Sequence, residues 1–305
     1  MNSPSEAWPA FPSDTWGSTF HSLLMWSQIV GKTRLALAPM ENHWWQVALY
    51  PTARGLTTSA MPAGGQTLQI SFDFVSHELL IRSSRGTDWS MRLKSQSVAD
   101  FFADYLGGLR QFNVEPRLLA RPVEVQVALP FAQDREPRAY NPAAAHAVWQ
   151  ILLRTERVLK QFRNEFLGKQ SPVHFFWGSF DLAATRFSGR SAPRHPGGAP
   201  NCADRVMVEA YSHECSSCGF WPGDGEAAKP VFYAYSYPAP PKFAAQSVQP
   251  AAAHFDSALG EYVLPYDALR NDANPDEALI GFFRSVYLAA AQLGGWDRAA
   301  LERRA

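Results

Sequence analysis

From Trp16 onward, apolar side chains recur at Trp16, Phe20, Leu23, Leu24 and Val30, the three-to-four-residue period that gathers them on one face of a helix. Ser13-Asp14 offers an N-cap, so the spacing predicts a helix over about 14–34. From His43 the texture changes to aromatic and β-branched runs: HWWQVALY, ARGLTTSAM, QTLQISFDFV, HELLIRS and WSMRL. Ala63-Gly64-Gly65 and Arg85-Gly86-Thr87-Asp88 punctuate them, which predicts antiparallel strands joined by short turns. Ser97 caps a second helix, VADFFADYLGGLRQF, whose Val98, Phe101, Phe102, Tyr105 and Leu109 mark one face. PVEVQVALPF reads as a short strand leading into a Pro- and charge-rich stretch, 130–142.

The pattern then begins again. Asn141 and Pro142 stand where a helix takes its N-cap and first residue, and an apolar stripe from Ala145 to Phe166 predicts a helix to about 167. Glu156 falls inside that stripe. A buried carboxylate must be neutralised or paired, so Glu156 is expected to be shielded and to meet Lys169, Arg186 or a histidine. VHFFWGSFDL reads as an aromatic strand, 188–205 as a loop, VMVEAYSHE and VFYAYSYP as strands, and Asp276–Leu293 as the last helix, closed by Gly294-Gly295.

The two halves share landmarks in one order. The first runs helix, Gly31-Lys32, His43-Trp44-Trp45, Asp73 with Ser76-His77-Glu78, and a helix with Phe101-Phe102. The second runs helix, Gly168-Lys169, His174-Phe175-Phe176, Glu209 with Ser212-His213-Glu214, and a helix with Phe282-Phe283. The expected fold is α+β: two similar halves, each an antiparallel sheet with flanking helices, related by a pseudo-two-fold internal duplication. The expected divisions are a lead over 1–13, halves over 14–129 and 142–305, and a connection over 130–141, the whole forming one compact unit with a cleft between the halves.

Composition narrows the function classes. The 305 residues hold 28 Lys+Arg against 28 Asp+Glu, which argues against binding nucleic acid or anionic lipid by bulk charge. No apolar run approaches a membrane span. The opening MNSPSEAWPAFPSDTW has neither the basic nor the apolar region of a secretory signal, so the expected location is the cytoplasm. The GxGxxG, Walker, GxSxG and HExxH patterns do not occur.

The candidate chemistry lies in the second half. Were VMVEAYSHE a strand, Glu209, Tyr211 and His213 would share a face, with His213 as general base oriented by Glu209. His174 and Asp181 are further acid–base candidates. Arg186, in the basic loop-edge segment TRFSGR, would hold an anionic group, with Tyr211, Trp177 and Glu156 as further ligand-binding candidates. Cys202, Cys215 and Cys218 beside His213 invite a zinc reading, but the ligands do not come in two close pairs, and no metal is expected. The expected function is small-molecule binding, or hydrolytic or proton-transfer chemistry, in a cleft of the second half. The alternative is a non-catalytic interaction module using aromatic, Pro-rich surface over 220–250. Convergence of at least three of Glu209, Tyr211, His213, His174, Asp181 and Arg186 on one enclosed pocket would favour the former. Cofactor and oligomeric state stay unassigned.

The strings WPAFPSDTW, WSQIVGKTRLALAP, NHWWQVALYPTARGLTTS, FDFVSHELLIR, SPVHFFWGSFDLAATRFSGR, EAYSHE with GFWPG, and GGWDRAALE carry a resemblance over Trp8 to Glu302. Together they resemble a bacterial family, domain of unknown function 5996. The resemblance implies one full-length, cytoplasmic unit and transfers no cofactor or catalytic residue. Cys215 and Cys218 stand where relatives are expected to carry apolar or small residues, which further weakens the zinc reading.

Overall fold

The computed structural model describes residues 7–224 and 229–303. The first half runs α1 (Ser13–Leu37), a 3-10 segment (Asn42–Val47), β1 (Tyr50–Thr52), β2 (Gly55–Thr57), β3 (Met61–Ala63), β4 (Gln66–Asp73), β5 (Glu78–Ser83), β6 (Asp88–Arg92) and α2 (Val98–Arg110). A 3-10 turn at Phe131–Gln133 leads to α3 (Pro142–Asn164), β7 (His174–Phe176), β8 (Asp181–Ser191), α4 (Asp204–Ala210), β9 (His213–Trp221) and β10 (Val231–Tyr237). A second 3-10 turn, Phe243–Ala245, precedes β11 (His254–Asp256), β12 (Glu261–Pro265), α5 (Tyr266–Arg270), α6 (Pro275–Leu293) and α7 (Arg298–Leu301).

The fold is α+β with two antiparallel six-stranded sheets. One has the order β1-β2-β4-β5-β6 with β3 beside β4, the other β11-β12-β10-β9-β8-β7. Each half therefore runs helix, sheet, helix. The landmarks beneath that order diverge: His43-Trp44-Trp45 lies in a 3-10 segment, whereas His174-Phe175-Phe176 is strand β7. The sheets meet where Leu49 and Phe175 exchange backbone hydrogen bonds of 2.9 Å each.

One apolar core runs through both halves. Helix α1 lies within it and is buried on almost every side from Trp16 to Arg34, rather than along one stripe. Trp26 stacks on Phe101 of α2 at 4.8 Å, and the Tyr105 hydroxyl donates to Thr33 Oγ1 at 2.7 Å. The helix starts are those the side chains dictate: Ser97 accepts from Asp100 N, and Asn141 from Ala144 N at 3.1 Å. Asn141→Ala is expected to lower stability by about 1 kcal/mol, the usual worth of an N-cap, which urea unfolding would read directly.

Four expected strands are corrected. VHFFWGSFDL is a hairpin, β7 and the start of β8 joined by a turn at 177–180, rather than one strand. HWWQV folds as the 3-10 segment Asn42–Val47, with His43 and Trp44 in left-handed backbone, φ 59° and 61°. PVEVQVALPF joins no ladder: it bends over 123–127, with Glu124 in left-handed backbone, and ends at the 3-10 turn that Phe131 opens. Gln28 of α1 brackets Val123 instead, its amide donating to the carbonyl at 2.9 Å and accepting from the N–H at 2.8 Å. VMVEA is helix α4. Glu156 is half-buried, as its place in the stripe demands, but its partner is Lys160 one turn on, at 2.8 Å, in place of Lys169, Arg186 or a histidine. Among the described residues no helix is long and apolar enough to cross a membrane.

Candidate functional site

Alternation along the second sheet builds the site's floor. Successive strand residues face opposite sides, so Asp181, Ala183, Thr185 and Phe187 of β8 share a face with Cys215, Ser217 and Trp221 of β9. Tyr233 and Tyr235 of β10 and Glu261 of β12 extend that face. The opposite face, with Leu182, Ala184, Phe220 and Phe232, belongs to the core. The segment Asn42–Val47 and helix α4 roof the floor, leaving between them a partly open cavity of about 400 Å³. The floor is thus second-half sheet, while part of the roof and Glu124 come from the first half.

Among the described residues, three carboxyls and no lysine or arginine line this acid chamber. Asp181 is buried at its foot and accepts hydrogen bonds from the Ser179 and Tyr233 hydroxyls. Gly219, between Ala183 and Tyr233 in the register, lets the tyrosine lean across: a Cβ there would collide with the Leu182 carbonyl and the Tyr233 ring. Burial raises the Asp181 pKa, outweighing the two hydroxyl bonds. Crowding by protein, then the charge of Asp181, push Glu124 up to about 7. Burial, Asp181 and Asp256 do the same for Glu261, also to about 7. Glu124 presents accessible surface because the chamber is open beside it, yet protein displaces bulk water around it, and that displacement governs its charge. The walls are aromatic, with Trp44, Trp45, Phe176, Phe187 and Trp221. Tyr211 and Tyr235 share a 2.7 Å hydroxyl hydrogen bond beside them.

The roof is locally strained. His43, Trp44 and Glu124 all adopt φ between 55° and 65°, at 59°, 61° and 58°, a region that costs non-glycine residues roughly 1–3 kcal/mol each. Tertiary contacts hold them. The Lys169 ammonium can only donate, so His43 Nε2 accepts from it at 2.8 Å and Nδ1–H donates to the Ala210 carbonyl at 3.0 Å. Burial lowers the His43 pKa, in keeping with that neutral tautomer. Glu124 N–H donates to the Pro200 carbonyl at 2.7 Å.

A second chamber of about 400 Å³ adjoins the first and shares Trp44, Val47, Glu124, Phe176 and Val206 with it. Its wall carries Lys32, Arg117, Arg205 and Cys202 beside Trp177. Lys32 is 3% exposed and its Nζ lies 5.5 Å from the Trp177 ring centroid.

The residues singled out from sequence scatter. Asp181 and Tyr211 line the acid chamber and Trp177 the second, where its indole N–H donates to the Val47 carbonyl at 2.8 Å. Two of the six named for one pocket therefore converge, not three. Glu209 sits in α4 and makes no hydrogen bond to His213 among the described residues, because VMVEA is helix and the shared strand face does not exist; His213 Nδ1 bonds Ser212 Oγ at 3.0 Å. His174 is 1% exposed behind Trp45, with no hydrogen-bond partner on either ring nitrogen among the described residues. Arg186, an even position on β8, points to the core face against Phe162, Phe166 and Tyr287. Glu156 lies on α3, outside both chambers. Cys215 faces the acid chamber, while Cys218, three along the same strand, faces the core beside Ala184, so the pair cannot converge on one ion. Among the described residues no three His, Cys, Asp or Glu gather for a metal.

Glu124, Glu261, Tyr233, Tyr235 and Lys32 were missed by sequence reasoning. The alternation Tyr233-x-Tyr235 in VFYAYSYP was a usable signal for the tyrosines; the others carried none. None of the large apolar side chains standing exposed among the described residues is aromatic, and none lies in 229–250. A family profile spans residues 8–303, nearly the whole chain, and the description attached to it is one of unknown function. No curated protein and no solved structure matches the chain.

Proposed function

The chain belongs to the family of unknown function DUF5996, and from the geometry of its cleft we propose that the acid chamber binds a small organic cation with a flat or apolar body. One observation carries this: Asp181, Glu124 and Glu261 line one cavity with no lysine or arginine on its walls among the described residues. Carboxyls that share a site hold one another protonated, and a ligand ammonium would let them ionise. The indole and phenyl faces suit the rest of such a ligand, through dispersion and cation–π attraction. Two carboxyls held near neutrality also exchange protons readily at pH 7, so the reaction class the chamber best supports is proton transfer or hydrolysis on that ligand.

Calorimetric titration with phenethylamine and its neutral isostere 2-phenylethanol tests the reading. The amine is expected to bind at least about tenfold more tightly, a difference of ~1.4 kcal/mol. Its affinity should rise several-fold from pH 6 to pH 8, because Glu124 and Glu261, pushed to about 7, ionise across that interval while the amine stays charged. Asp181→Asn should weaken the amine and leave the alcohol unchanged. Equal affinity for the two probes would sink the proposal.

A further inference from the structure

The only lysine among six that is not exposed is Lys32. A buried ammonium is ordinarily held by a carboxylate, because removing it unpaired from water costs several kcal/mol. Lys32 has no hydrogen bond and no ion pair among the described residues. Its Nζ faces the indole of Trp177 and Lys32 lines the second chamber, where Cys202 and the Glu124 carboxyl favour its charged form. A leucine or methionine would fill that place on α1 at lower cost, so packing does not account for the amine.

We propose that Lys32 is a carbonyl-reactive amine, and that the second chamber takes an aldehyde or ketone carrying an anionic group and joins it to Nζ as an imine. Three features of the chamber support this. Burial lowers the Lys32 pKa to about 8, so at pH 7.5 roughly two hundred times more of it is free base than of an ordinary lysine. That neutral amine is the nucleophile imine formation needs. Glu124, pushed up to about 7, is a proton donor on the same wall. Arg117 and Arg205, exposed on that chamber's rim and free of ion pairs among the described residues, supply two guanidinium groups for a carboxylate or phosphate.

The step balances without an oxidant or reductant. The Nζ lone pair attacks the carbonyl carbon, the C–N bond forms as the C=O π bond opens, and one proton passes from the now cationic nitrogen to the oxygen to give a carbinolamine. Glu124 protonates the hydroxyl, the C–O bond breaks, and one water leaves. The nitrogen proton returns to the Glu124 carboxylate, leaving the imine. Lys32 thereby contributes both hydrogens of the amine to the water and the proton relay, and the product is one water lighter than the reactants.

Reductive trapping tests this with the full chain: glyoxylate and cyanoborohydride at pH 7.5, followed by peptide mapping. The expected product carries one carboxymethyl group, on Lys32, while exposed Lys94, Lys160, Lys169, Lys229 and Lys242 react at least about tenfold more slowly. The trapping rate should pass through a maximum between about pH 7 and pH 8, rising as Lys32 loses its proton and falling as Glu124 loses its own, a readout that needs no variant. Uncharged acetaldehyde should lose most of that preference for Lys32. Lys32→Met, checked for folding by circular dichroism, should remove the adduct; labelling spread over the exposed lysines with Lys32 unmodified would overturn the proposal. It stands apart from the cation reading of the acid chamber: Asp181→Asn should weaken amine binding there and leave Lys32 the labelled residue, so either can fail alone.

Discussion

His174→Phe is expected to flatten the acid limb of the stability curve. His174 is 1% exposed, its two ring nitrogens have no partner among the described residues, and its ring is boxed by Trp45, Tyr50 and Phe176 at centroid distances of 5.6, 5.7 and 5.4 Å. Burial, with the charges of Arg34 and Arg163, lowers its pKa to about 3. A histidine with a depressed folded pKa lends its full stability above its unfolded pKa of about 6.5 and loses it as pH falls towards 3. The reason is that only the unfolded chain accepts the proton in that window. The loss is about 1.4 kcal/mol per pH unit, so about 3 kcal/mol by pH 4.5. The raised carboxyls Asp181, Glu124 and Glu261 act in the opposite sense, but they are common to both proteins and cancel in the comparison. Urea unfolding at pH 7.5 and pH 4.5 should therefore show a smaller fall for the variant by about 3 kcal/mol. Equal falls would mean that His174 is protonated in the folded protein.

Arg186 carries the second large effect, and it separates packing from charge. Its guanidinium carbon lies 3.4 Å from the Phe162 ring centroid, 4.4 Å from Tyr287 and 5.0 Å from Phe166, and one Nη–H donates to the Phe162 carbonyl. Glu165 approaches to 4.0 Å. Arg186→Ala would leave a void among three rings and is expected to cost about 3–5 kcal/mol, in the range of large-to-small core changes. Arg186→Met keeps the bulk and drops a buried cation, an exchange that proteins often tolerate, and should cost under about 2 kcal/mol. Phenethylamine affinity should be unchanged in the methionine variant, since the side chain lies on the face of β8 away from the acid chamber. Loss of ligand binding there would return Arg186 to the site.

Helices and most strands were legible because local pattern and tertiary role agree. Asn141-Pro142 opens α3, and QTLQISFDFV, HELLIRS and WSMRL supply most of β4, β5 and β6 with their turns between. Reading failed where contacts override propensity. VMVEA is β-prone in isolation but forms α4 against the Asn42–Val47 segment, and HWWQV is bent into left-handed backbone by what His43 grips. PVEVQVALPF alternates like a strand, yet α1 and the Pro200 loop take the hydrogen bonds a neighbouring strand would have made. Of the acid chamber, Asp181 and Tyr211 were visible; Glu124 and Glu261 enter from segments far apart in the chain, and only the strand register and one loop bring them together.

The left-handed backbone at His43, Trp44 and Glu124 sets thermal endurance against ligand handling. Glycine adopts that conformation without steric penalty, so at Glu124, whose carboxyl makes no hydrogen bond or ion pair among the described residues, such an exchange relieves strain while deleting a carboxyl; at His43 the lost imidazole contacts offset the gain. Selection of this chain for heat resistance alone would drift towards such exchanges, and the survivors would be sturdier proteins around a cavity stripped of its chemistry. Mutations found by such a selection would mark the walls of the cleft as clearly as a bound ligand would.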